Sequence, residues 1–149
     1  MPGAPAPAYK RRMDGGRKTA WRRVAADGTL ARLRHALQAL ALPAETQAGL
    51  LPGFVLETDE LALNFDHGLR AAGADPVVRL SKVQRGALDA VEGLIDRMCG
   101  QKNAHLWTRA ALRDSAQWSR VRRAARAALE AFGWQVEVPP SRLYEYIEW

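Results

Sequence analysis

Residues 81–100 read SKVQRGALDAVEGLIDRMCG, and this stretch decides the fold class. Ser81 followed three residues later by Gln84 has the spacing of a capping box, in which serine and glutamine satisfy each other's free backbone N–H groups at a helix start. Leu88, Val91, Ile95 and Met98 then recur at helical intervals and make one apolar stripe. Gly100 supplies the left-handed residue that commonly ends a helix. The segment therefore predicts a helix from Ser81 to Cys99 with one face committed to a core.

Toward the C-terminus the same grammar repeats. Asn103 is placed to cap a short helix carrying Leu106, Trp107, Ala110 and Ala111. Ser115 is placed to cap a longer one in which Trp118, Val121, Ala125, Ala128, Leu129 and Phe132 share a face until Gly133. Short loops force the three helices to be neighbours, so Leu88, Val91, Ile95, Trp118, Val121, Leu129 and Phe132 are expected to form one core. Trp107 and Trp134 are expected to join it. Two β-like runs close the chain, Trp134 to Val138 and Leu143 to Trp149, separated by Pro139 and Pro140.

Toward the N-terminus, Val77 to Leu80 and Phe54 to Glu57 are short, apolar and partly β-branched, and read as strands. Between them Leu61, Phe65, Leu69 and Ala72 recur as in a helix that opens on Thr58 or Asp59 and closes on Gly73, while Leu61, Leu63 and Phe65 alternate as in a hairpin. The helical pattern is the longer. Gly49, Pro52 and Gly53 mark a loop. Leu30, Leu33, Leu37 and Leu40 make another amphipathic helix, stopped by Pro43. The expected fold is α+β: one helix-rich domain over residues 19–149, with four to five helices and a small sheet of short strands.

The net charge of +6 in 149 residues is carried entirely by the first 23, through Lys10, Arg11, Arg12, Arg17, Lys18, Arg22 and Arg23 against Asp14. The remaining basic and acidic residues cancel. Residues 1–18 combine proline, glycine and charge with little apolar bulk and are expected to form a disordered basic arm. Met13 is an alternative start. The single cysteine, Cys99, precludes an internal disulfide and suits a reducing, cytoplasmic compartment. Apolar stretches fall far short of the ~20 residues that span a bilayer, and the N-terminus has the wrong order for a secretory signal. No membrane partner is expected.

No catalytic, metal-ligating or cofactor-binding signature stands out, so catalytic, metal and cofactor assignments are none. Cys99 sits at a helix C-terminus, where negative potential disfavours a thiolate, and reads as a packed, sluggish thiol. If Asp59 to Ala72 is helical, Glu60, Asn64 and His67 form one polar stripe with Asp66 at its edge, a candidate binding patch and the seed of a metal-dependent hydrolase reading. Tyr144, Tyr146 and Trp149 crowd the last six residues, and exposed aromatics mark interfaces. Arg120, Arg122, Arg123 and Arg126 line one helix and, with the arm, offer a polyanion surface for nonspecific nucleic-acid binding.

The expectation is a small, non-enzymatic cytoplasmic protein that binds an unidentified protein partner. Its size and texture are similar to those of small bacterial immunity or antitoxin proteins, a resemblance that carries over no site residue. Alternatives are a nucleic-acid-associated protein using the arm and the Arg-rich helix, and a metal-dependent hydrolase around Glu60 and His67.

Overall fold

The computed structural model describes residues 28–50 and 57–140. Its order is α1 (helical from residue 28 to 41), α2 (Ala44–Ala48), α3 (Glu57–Ala74), α4 (Lys82–Arg97), a 3-10 helix (Gln101–Leu106), α5 (Arg109–Asp114) and α6 (Ala116–Phe132). No strand occurs among the described residues, so the architecture is all-α with six α-helices, and the expected sheet is overturned.

The reason lies in what the short apolar runs do instead of pairing. Val77 enters a turn in which the Asp75 carboxylate accepts from the Val77 N–H at 2.9 Å, while Thr29 Oγ1 donates to the same carboxylate at 2.6 Å. Val78 and Leu80 then pack half-buried against the helical core. Trp134 to Val138 continues without turn or bend but meets no second strand among the described residues. Glu57 begins α3. Residues 54–56 and 143–149, where the other two strands were expected, lie outside the described residues, as does the arm.

Helix ends follow the sequence in most places. Ser81 and Gln84 form the capping box at 3.1 and 2.9 Å, and Ser115 accepts from the Trp118 N–H at 3.2 Å. Two expectations fail in one turn. Gly100 has φ 100° and ψ 155°, positive but not left-handed helical, so it swings the chain into the 3-10 helix after α4 has ended near Met98. Asn103 starts no helix: its Nδ2 donates back to the Arg97 and Cys99 carbonyls at 3.0 and 2.9 Å and so closes the C-terminus of α4. Thr108 caps α5 in its stead. Cys99 is exposed where packing was expected.

Helices α4 and α6 pack along their lengths. Leu88, Val91, Ile95, Trp118, Val121 and Leu129 are buried together as expected, and Phe132 is half-buried at the margin. Trp118 is wholly buried yet its indole N–H donates to the Leu106 carbonyl at 2.7 Å, and the edge-on Trp107 donates to the Met98 carbonyl at 2.7 Å. Two indoles thus pin the 3-10 turn to both long helices.

The C-terminal half of α1 is buried on every side: Ala36, Leu37, Gln38, Ala39, Leu40 and Ala41 are all within 1% of zero exposure. A helix end buried this way leaves carbonyls that water cannot reach. Gln47 of α2, itself wholly buried, donates to the Ala39 and Leu40 carbonyls at 3.0 Å each, and Arg126 Nε donates to the Ala41 carbonyl at 3.0 Å. Arg122 Nη1 completes the set, donating to Gln47 Oε1 at 3.1 Å and to the Leu112 carbonyl at 2.8 Å. Burial and the neighbouring Arg126 both push the Arg122 pKa below the ordinary arginine value.

Helix α3 crosses α1 at Gly68. A Cβ there would lie 2.9 Å from Leu33 Cα and 3.0 Å from Leu33 N, so only glycine permits the backbone contact. Gly68→Ala is expected to destabilise the fold by about 1–3 kcal/mol, the cost of overpacking outweighing a helix-propensity gain of about 1 kcal/mol. Gly86→Ala, in α4 with open space around it, is expected to stabilise by up to about 1 kcal/mol. Denaturant melts of the two variants check the contrast. Replacing Gln47 by leucine keeps the volume but leaves two buried carbonyls unpaired, and is expected to lower stability by at least about 2 kcal/mol. A loss under about 0.5 kcal/mol in the same melts, within the range of ordinary surface substitutions, rejects the capping role.

Candidate interaction surface

Gly133 ends α6 with φ 71° and ψ 26°, the left-handed conformation. The Gly133 N–H donates to the Glu130 carbonyl at 3.0 Å and the Trp134 N–H to the Leu129 carbonyl at 2.9 Å, which is the paired pattern of a Schellman motif. Trp134 then stacks on Phe132 with ring centroids 4.2 Å apart and planes 9° off parallel. These contacts fix the direction in which the chain leaves the helix.

From Trp134 to Pro140 the chain has no turn or bend. Prolines at 139 and 140 hold the residues before them in extended conformations. Gln38, buried in α1, donates from Nε2 to the Gln135 carbonyl at 3.1 Å and to Glu137 Oε1 at 3.4 Å, which ties this segment to α1. Val136 and Val138 are 52% and 60% exposed, and Gln135 before them and Glu137 between them are exposed as well. Pro139 is buried and anchors the far end. Among the described residues four large apolar side chains are exposed, Leu63, Val83, Val136 and Val138. Only the last two share one short segment, and no backbone hydrogen bond joins residues 135–138 to another described residue's backbone.

The sequence-derived candidates are distributed differently. Glu60, Asn64 and His67 do lie along α3, with Glu60 and Asn64 half-buried and His67 exposed, but no hydrogen bond links them. Glu60 Oε2 is buried without a partner, and Asp66 is occupied by Arg70 at 3.1 Å. Among the described residues no three His, Cys, Asp or Glu side chains gather as metal ligands. The polar interaction that α3 does make lies at its start: wholly buried Glu57 accepts from Arg109 Nε at 2.9 Å, with Nη2 2.8 Å from its second oxygen. No local spacing signals this pair, since its partners are 52 residues apart.

The four arginines of α6 do not form one surface. Arg122 reaches Gln47 of α2 and the Leu112 carbonyl of α5, and Arg126 the Ala41 carbonyl of α1, while Arg120 and Arg123 are exposed without such partners. Tyr144, Tyr146 and Trp149, and the arm residues Lys10, Arg11, Arg12, Arg17, Lys18, Arg22 and Arg23, lie outside the described residues. No helix of the described residues is long and apolar enough to cross a membrane.

His35 of α1 stands beside this surface. Burial and the Arg34 charge push its pKa below the ordinary 6.5, and the Glu137 carboxylate opposes them. A histidine with a depressed folded pKa binds fewer protons folded than unfolded, so its contribution to stability is complete above pH 6.5 and declines as pH falls below that value. Melts between about pH 7 and about pH 5 are expected to show this loss, and His35→Gln to flatten it; an equal slope in the variant rejects the assignment.

No protein-family model matches this chain, and no curated protein and no solved structure is significantly similar to it.

Proposed function

We propose that the chain is a cytoplasmic interaction protein that binds a protein partner, and that the partner adds an extended strand along Gln135 to Val138. The observation that carries this reading is the conjunction of an extended main chain that pairs with no backbone among the described residues and the exposed Val136 and Val138. An unpaired extended segment offers a row of N–H and C=O groups, and adjacent outward side chains supply pockets or ridges for specificity. Monomeric proteins blunt such edges with outward charge or proline. Here the one charge, Glu137, is exposed but accepts from Gln38, and the prolines stand at the end of the run. The exposed free thiol of Cys99 suits a reducing compartment.

The polyanion alternative has less to stand on, because two of the four α6 arginines are occupied by backbone and side-chain acceptors. Affinity purification of the full chain from its own host, with quantitative mass spectrometry, tests the proposal. A discrete protein is expected with the wild type and with Val83→Asp, which alters an exposed valine elsewhere, and is expected to be lost with the double variant Val136→Asp/Val138→Asp. Equal recovery with the double variant, or no discrete partner at all, rejects the strand-addition reading.

A further inference from the structure

We infer a second site, a small-molecule recess that takes an organic carboxylate with a compact apolar body. The recess lies between the C-terminal half of α4, the 3-10 helix and the N-terminal half of α6, and has a volume of about 190 Å³. Leu94, Met98 and Leu106 give it an apolar floor, and Arg97, Arg120 and Gln117 rim it. No carboxylate lines it.

Neither the Arg97 nor the Arg120 guanidinium makes an ion pair or hydrogen bond with another described residue, as is also true of Arg34, Arg79, Arg85 and Arg123, whereas those of Arg70, Arg109, Arg113, Arg122 and Arg126 do. Arg97 stands in the last turn of α4, where the helix dipole favours a cation, and its Nη2 lies over Gly93. That accounts for Arg97 alone. Arg120 stands one turn into α6, where the dipole offers a cation nothing, and comes to the same recess from a different helix. Two guanidinium groups converging from separate elements on a partly apolar hollow match an anionic head joined to an apolar group, since the planar fork of arginine pairs bidentately with carboxylate.

Size narrows the class. An apolar cavity of ~150 Å³ holds a benzene ring, so about 190 Å³ accommodates a ring or short branched chain with its carboxylate at the rim. A free acid of benzoate size fills the recess, and an acid carried on a peptide end overfills it. Arg120 and Val136 lie toward opposite ends of α6, so ligand at one site leaves the other open.

Titration of the full chain with benzoate, followed by ¹H–¹⁵N NMR, tests the inference. Saturable shifts are expected at Arg97 to Leu106 and Gln117 to Arg120, with weaker binding of the neutral isostere benzyl alcohol and of the bulkier N-acetylphenylalanine. Arg120→Gln and Arg97→Gln are each expected to reduce benzoate affinity about tenfold, the value of one charge-assisted hydrogen-bonded contact. Arg120→Lys, which keeps the charge but loses the fork, is expected to fall between. Both arginines are exposed, so the variants retain the fold, and their unliganded spectra verify it. Shifts confined to the N-terminal arm, unchanged affinity in Arg120→Gln, tighter binding of N-acetylphenylalanine, or no saturable shift at millimolar benzoate overturns the assignment.

Discussion

The carbonyl groups of Ala39, Leu40 and Ala41 set the terms for this molecule. Burying the end of a helix removes its last acceptors from water, and each one left unpaired costs about 1–3 kcal/mol. Here the burial is complete and the acceptors are met by Gln47 from α2 and Arg126 from α6, with Arg122 holding Gln47 in place. Three helices are thereby tied to one point. The tight stop at Pro43 and the short α2 follow from the same demand, since Gln47 must return within eight residues to the helix it closes.

Geometry elsewhere accommodates that centre. α3 reaches α1 closely enough for backbone contact only because residue 68 has no side chain. Helices α4 and α6 form an apolar interface, and the two tryptophans join it to the 3-10 turn through their N–H groups. Apolar packing provides the bulk of the core, and a handful of directional bonds to backbone carbonyls determine where each element stops.

What the sequence made legible was local. Ser81, Gln84, Ser115 and Gly133 announce helix ends because their hydrogen bonds are made within a few residues, and the apolar stripes of α4 and α6 announce the core because period and burial coincide. The sheet was misread because β-branched residues such as Val77, Val78, Val136 and Val138 signal extended backbone but say nothing of whether a second strand lies beside it. Glu57 read as the end of a strand and Arg122 as one of an exposed row, while Gln47 carried no local signal. Their roles depend on partners 75 and 52 residues away, a relation that spacing within one chain does not encode. Likewise the arginine row of α6 read as one face, although a difference of two or three positions turns a side chain from the interior to solvent. Of the candidate surface, Trp134 to Val138 was visible as a β-like run and its exposure was not.

Gly133 and Trp134 decide where the 135–138 segment points, while Val136 and Val138 decide what it presents. The first pair is built into the helix terminus and the ring stack; the second has most of its surface in solvent. Folding and recognition are therefore written in separate letters of the same short stretch. Residues 136 and 138 are free to vary in shape and polarity at little cost to the melting temperature, so the specificity of the surface can be retuned without the stability losses that accompany change at sites embedded in a core.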